Sequence, residues 1–228
     1  MEFESFVLAA STADLDEEPT AREHGDAVEF RMDLAGAPLD ALADYDGALP
    51  LIATNRAEWE GGDAPDGDAR LDALCAAAEH DAVGAVDVEL AAITDGDGRR
   101  VVGHARDHGT SVIVSTHDFE RTPERPELRQ SLDRACEHGD VGKLAVTARS
   151  TDDVLALLAA TRASAKGGDR IATIAMGEAG RHSRAVAPLY GSRIGYAPVD
   201  PGNATAPGQY DLATLRRLVT DLRAETKR

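Results

Sequence analysis

Short apolar runs alternate with longer amphipathic stretches along the whole chain. The runs are FVLAA (6–10), AVEFRM (27–32), LPLIAT (49–54), AVGAVDVEL (82–90), SVIVS (111–115), VGKLAV (141–146), IATIAM (171–176) and SRIGYA (192–197). Most are rich in Val and Ile and are bounded by Gly, Asp or Pro, as strands covered on both faces of a parallel sheet should be. Between them, DARLDALCAAAEH (68–80), PELRQSLDRACEH (126–138) and TDDVLALLAATRAS (151–164) place apolar side chains at helical spacing, and DLATLRRLVTDLRAE (211–225) does the same near the end. Ser150 or Thr151 can cap the third of these helices, with Asp152 and Asp153 favourable in its first turn. Eight strands, each followed by a helix, over 228 residues predict a single-domain α/β fold, a (β/α)8 TIM barrel near its lower size limit. A doubly wound sheet is the competing arrangement. Pro19 limits where the first helix can start.

In such a barrel, functional residues collect at the C-terminal ends of the strands and in the loops that follow. Those positions hold Glu29 and Arg31, Arg56 and Glu60, Asp87 and Glu89, His117, Lys143, and then His182 and Arg184, with GNATAPGQ (202–209) after the last strand. Glu29 and Arg31 are two apart on one strand and therefore face the same way.

Charge changes the picture in two ways. With 41 Asp+Glu against 24 Lys+Arg the chain carries a formal net charge of -17, which disfavours nucleic acid and anionic lipid as partners. Only three lysines occur, Lys143, Lys166 and Lys227. Such acid-rich, lysine-poor surfaces resemble those of proteins from salt-saturated cytoplasm; an acidic protein from a GC-rich genome is the alternative. Either way, a lysine inside an apolar strand stands out.

Burial disfavours an ammonium and so favours the neutral amine that attacks carbonyls, which makes Lys143 the candidate nucleophile. A lysine reaching solvent from the strand end, or bridged to Glu89, is the plain alternative. His117 follows strand five directly, and imidazole suits proton transfer near neutrality. Arg31, Arg56 and Arg184 together point to an anionic substrate, since guanidinium grips carboxylate bidentately, with Glu29 and Glu60 expected to hold the arginines in place. His104 and His108 have i, i+4 metal-ligand spacing, but they fall in a helix before strand five, away from the chemical end, and read as solvated. The glycines of MGEAGRHSR lack GxGxxG spacing, and no P-loop occurs.

At 43% hydrophobic residues the chain can bury a core without disulfides, and Cys75 and Cys136, lacking CxxC spacing, read as reduced thiols. MEFESFVLAAS is neither a signal peptide nor a membrane span, and no later run reaches spanning length, so a soluble cytoplasmic protein is expected.

EFRMD, RAEWEGG, VDVEL, STHDFERTP, GKLAV, MGEAGRHSR, LYGSRIGYA and APGQ follow one another in the order found in type I 3-dehydroquinate dehydratases, and the chain resembles that family over most of its length. The resemblance implies a (β/α)8 fold, a homodimer, no metal or organic cofactor, and 3-dehydroquinate as substrate. It implies His117 as general acid/base and Lys143 as Schiff-base lysine. Glu29, Arg31, Arg56 and Arg184 match substrate-binding residues, Glu60 the acid beside the histidine, and Gln209 the glutamine of a closing loop. Thr205 stands where serine is commoner, Ser11 or Ala10 matches a serine that contacts substrate, and Gly142 precedes the lysine where a larger residue is usual. A class I aldolase-type barrel would share the lysine but cleave a C–C bond. A binding protein on the same scaffold would form no adduct, and a metal-dependent barrel enzyme would respond to chelator.

Overall fold

A computed structural model of the chain describes residues 1–200, 202 and 208–225. Eight parallel strands run β1 (Val7–Thr12), β2 (Ala27–Arg31), β3 (Leu51–Thr54), β4 (Val83–Glu89), β5 (Ser111–Asp118), β6 (Val141–Thr147), β7 (Ile171–Met176) and β8 (Ile194–Pro198). They lie in the order β7-β6-β5-β4-β3-β2-β1-β8. The β7/β8 edge is closed by an isolated parallel bridge between Ile171 and Ser192, with the Arg193 amide donating to the Ile171 carbonyl at 2.7 Å. The arrangement is a (β/α)8 barrel and not a doubly wound sheet.

The helices are α1 (Glu18–Ala21), α2 (Pro38–Ala43), α3 (Asp68–Ala78), α4 (Leu90–Asp95), α5 (Arg99–Asp107), α6 (Arg125–His138), α7 (Thr151–Gly167), α8 (Ser183–Tyr190) and α9 (Leu212–Glu225). Among the described residues, 3-10 turns precede the helices after β2 (Met32–Leu34) and β3 (Glu58–Glu60), and the units after β1 and β4 depart further from one strand, one helix. After β1 a 3-10 turn (Leu15–Glu17) precedes a single turn of helix, α1, with Pro19 at its start. Between β4 and β5 the chain makes two helices, broken at the glycines of DGDG. Ser150, not Thr151, caps α7: its hydroxyl accepts from the Asp153 amide at 3.3 Å, and the Asp153 carboxylate accepts from the Ser150 amide at 2.9 Å.

Alternation along the strands sorts side chains between the barrel interior and the helix layer. Ala9, Ala27, Ile52, Ala85, Ile113, Val141, Ala172 and Ile194 belong to one buried apolar cluster inside the barrel. Two residues further along several of these strands come Ser11, Glu29, Thr54, Asp87, Ser115 and Lys143, all buried. This apolar floor therefore carries a polar layer directly above it. A register slip helps set that layer: Leu51 pairs with Val83 but Ile52 with Ala85, so β4 carries one extra residue, and Thr54 pairs with Asp87. Gly142 faces outward under α6, where a Cβ would stand 2.7 Å from Cys136 Sγ. That close approach explains the glycine ahead of Lys143.

Candidate active site at the strand C-termini

Lys143 stands at the centre of the polar layer and is 5% exposed. Its Nζ donates to Asp87 Oδ2 at 2.8 Å and lies 3.6 Å from Glu29 Oε1, with the Tyr196 ring centroid 4.3 Å away. Asp87 is fully buried, and its other oxygen accepts from Arg56 Nη2 (2.7 Å) and Ser115 Oγ (2.6 Å). Burial alone would raise this carboxyl, but Arg56 and Lys143 outweigh it and hold Asp87 well below the usual carboxylate range. Burial likewise disfavours the Arg56 cation, and Asp87 with Glu89 more than offset it. Glu89 joins the network by accepting from Arg56 Nη1 at 2.9 Å and from Arg70 Nη1 at 2.7 Å. The result is an interlocked set of buried charges in which Lys143 is held by Asp87, not by Glu89.

His117 sits one register step further out, opposite Ala145 on β6. Glu60 Oε1 accepts from its backbone N–H at 2.8 Å and lies 3.1 Å from its Nδ1. Burial, followed by the positive charges of Arg56 and Lys143, pushes the imidazole well below 6.5. Burial also raises Glu60, to about 7, against the pull of Arg56. The two groups form one coupled pair, and the direction that follows from burial beside two cations is a neutral ring. With Glu60 ionised, the hydrogen bond to it places the ring proton on Nδ1 and leaves the Nε2 lone pair available.

Glu29, Arg31, Arg56, Glu60, His117, Lys143, Arg184, Tyr196 and Gln209 line a single cavity. Arg31, on β2, is held bidentately by Asp33, at 2.9 and 2.6 Å. Glu29 accepts from Ser11 Oγ at 2.5 Å and Thr54 Oγ1 at 3.3 Å. The carboxylates that hold Arg31 and Arg56 are thus Asp33, Asp87 and Glu89, and not Glu29 and Glu60 as expected; the latter two are engaged with hydroxyls and with His117. Ser11 contacts Glu29, whereas Ala10 packs in the outer core beneath the helices. Arg184, in the first turn of α8, is buried, and burial lowers its guanidinium to about 10. Gln209 also lines the cavity, and Gly208 before it, at φ +76°, packs against the Gly177 carbonyl, where a Cβ would come within 2.4 Å. Thr205 lies outside the described residues.

A family model described as type I 3-dehydroquinase matches residues 6–225. The chain belongs to the type I 3-dehydroquinase family. It is 61% identical over 228 residues to 3-dehydroquinate dehydratase of Haloarcula marismortui, covering 99% of this chain and 100% of that one. The solved 3-dehydroquinate dehydratase of Geobacillus kaustophilus is similar at 28% identity, with TM-score 0.86, over 97% of this chain and 92% of that one. A type I 3-dehydroquinate dehydratase from Clostridium difficile, solved with covalently modified comenic acid, is 26% identical with TM-score 0.83, over 97% and 93% of the two chains. The reaction of this family member is the dehydration of 3-dehydroquinate, a hydro-lyase step of the shikimate pathway.

Several site residues were not singled out from the sequence. Asp87 was visible only as one of two acids spaced by two on an apolar strand. Ser115, Thr54 and Tyr196 carry no signal beyond strand alternation, and Arg70 comes from a helix. His104 and His108, as expected, lie on the outside of the barrel; their rings stack at 4.6 Å and His104 Nε2 meets Glu79 at 2.9 Å. Among the described residues no helix is long and apolar enough to cross a membrane.

Proposed function

We propose that this dehydratase works through a Schiff base between Lys143 and the ring ketone of 3-dehydroquinate, with His117 moving the proton. The observation that carries the reading is a buried lysine, close to two carboxylates, sharing one cavity with a neutral histidine and three arginines. Nζ gives one proton to His117 and adds as the neutral amine to the carbonyl carbon; the oxygen takes a second proton from Nζ and leaves as water with the proton that His117 returns, and an iminium remains. The iminium withdraws electrons from the neighbouring C–H bond, whose proton passes to His117 Nε2, giving an enamine. The enamine expels the ring hydroxyl as His117 returns the proton to it, so that water leaves and the imidazole is again neutral. Hydrolysis of the iminium releases 3-dehydroshikimate and Lys143.

Arg184 takes the substrate carboxylate, whose charge offsets the cost of burying the guanidinium. Glu29, Arg31, Arg56 and Gln209 hold the ring substituents, Ser11 acts through Glu29, and Glu60 orients the imidazole. Gln209 lines the same cavity and helps to exclude water from the ring. The scheme requires no metal or organic cofactor. The protein is a homodimer of the cytoplasm with no nucleic-acid partner, a reading supported by the family and by the net charge of -17. Borohydride reduction during turnover, followed by digestion and mass spectrometry, should place an adduct on Lys143. Product formed at the normal rate without any adduct would refute the Schiff base.

A further inference from the structure

Tyr196 projects from β8, paired with Ala9 of β1, and is 6% exposed. Its ring lies against Lys143 Nζ, which Asp87 and Glu29 also approach. A ring face beside an ammonium is a cation–π contact that phenylalanine would supply as well. The hydroxyl is therefore the part that packing leaves unexplained. It is buried, and among the described residues no protein group hydrogen-bonds to it. Buried hydroxyls nearly always have a partner, and one left over beside a reactive group points to a ligand atom. Water in the cavity can serve it in the free enzyme, and a substrate oxygen can replace that water.

The other hydroxyls around Lys143 are committed. Ser11 and Thr54 donate to Glu29, and Ser115 donates to Asp87. Ionised carboxylates accept hydrogen bonds but cannot donate them. Among the hydroxyls of the described residues around Nζ, that of Tyr196 is thus the one not committed to a protein acceptor. Burial, with Glu29 and Asp87 nearby, holds the phenol well above its usual value of 10, so it keeps its proton at any working pH and acts as a donor, not a base.

We propose that Tyr196 is a catalytic residue whose hydroxyl donates a hydrogen bond to the ketone oxygen of the substrate while that oxygen is exchanged for Lys143 Nζ. The assignment rests on the Schiff-base reading above. The oxygen concerned is bonded to the carbon that Nζ attacks, so it must come within two bonds of a nitrogen already seated over the Tyr196 ring. On release from Asp87, Nζ gives one proton to His117. As the N–C bond forms, the carbonyl π pair moves to oxygen, which takes a second proton from Nζ. The nitrogen lone pair then makes the C=N bond as the C–O bond breaks, and the oxygen leaves as water with the proton returned by His117. Tyr196 stabilises the charge that develops on oxygen and ends each step with its own proton.

Tyr196→Phe isolates the hydroxyl, because the ring and its contact with Lys143 remain. Wild type and Y196F are compared for steady-state turnover, thermal melting, and the rates at which borohydride traps the enzyme and the ketone oxygen of dehydroshikimate exchanges with labelled water. Oxygen exchange reports imine formation and hydrolysis without the C–H step. The expected result is a fall in kcat, in trapping rate and in oxygen exchange of about tenfold to a hundredfold, with KM changed little and Tm equal to or above wild type. Unchanged exchange and kcat would overturn the proposal. So would a rise in KM alone, which would make the hydroxyl a binding contact. If active wild type yields no adduct and no oxygen exchange, the Schiff base itself fails and the tyrosine assignment with it. An adduct in wild type alongside an unimpaired Y196F refutes only the tyrosine.

Discussion

Replacing Asp87 by Asn would keep the shape of the most buried carboxylate and remove its charge. Asp87 accepts from Lys143, Arg56 and Ser115, and all three are buried. The remaining carboxylates of the layer, Glu29 and Glu89, would face Arg56, Arg70 and Lys143, leaving one buried positive charge without compensation. The asparagine amide would also point a donor at one of these cations. Removing one partner of a buried ion pair costs about 3–5 kcal/mol. At roughly 2–4 °C per kcal/mol for a domain of this size, Tm should fall by roughly 6–20 °C. Thermal and urea unfolding of wild type and D87N in the same molar salt measure this. Glu127→Gln is the control: its partner Arg121 is 3.2 Å away, both side chains are more than half exposed, and stability should barely move.

The pH dependence supplies an independent check. Asp87 is held well below its unfolded value, near 3.9. Its contribution is therefore fully present above about pH 4 and is lost as pH falls through the folded value. The stability difference between wild type and D87N should be flat above that point and shrink below it. A loss under about 1 kcal/mol would show that the layer is screened as a surface would be. A difference that grows toward acid would show that the sign is wrong.

The other outcomes concern catalysis and packing. Lys143→Ala should give neither borohydride adduct nor product, whereas His117→Ala should still trap substrate, more slowly than wild type, while turnover falls about 10²–10⁴-fold; near-normal turnover by the histidine variant would remove it from proton transfer. Arg184→Ala should chiefly raise KM for 3-dehydroquinate, and an unchanged KM would count against a carboxylate clamp. Gly142→Ala would set a methyl 2.7 Å from Cys136 Sγ and 3.2 Å from Ala135 Cβ, and should cost about 1–3 kcal/mol in urea unfolding. A neutral result there would mean that α6 is free to move away from β6.

All eight strands were legible because a strand covered on both faces must be apolar, and that requirement writes itself locally. The ends were less clear. β5 continues to Asp118 because Thr116, His117 and Asp118 pair with β6, and polar residues at a barrel mouth hide a strand that an apolar run would reveal. The break between α4 and α5 was hidden for a similar reason: Leu90 extends the apolar run of β4 yet starts a helix. In the site, Lys143 and His117 announced themselves by residue type at strand ends. The partners that hold them did not, because they come from far along the chain. Lys143 is 56 residues from Asp87, and His117 is 57 from Glu60. The expectation that Glu29 and Glu60 grip the arginines failed on the same point for Arg56, which is held by Asp87 and Glu89, 31 and 33 residues away, whereas Arg31 turns to Asp33, two residues on.

That distinction separates two kinds of charge in this protein, and salt should tell them apart. The net charge of -17 arises from acids most of which face solvent, where their repulsion disfavours the compact state and counter-ions within a Debye length relieve it. The charges around Lys143 are nearly balanced and lie where ions cannot follow. Raising salt from millimolar to molar should therefore raise the stability of wild type and D87N together, while the gap between them stays constant. If the gap closed with salt, water and ions would be reaching Asp87. The preorganised dipoles proposed to stabilise the reacting oxygen would then be acting in a far higher dielectric, too weakly to account for their part in the reaction. A constant gap would mean that the acid-rich surface can adapt to its solvent without retuning the chemistry inside.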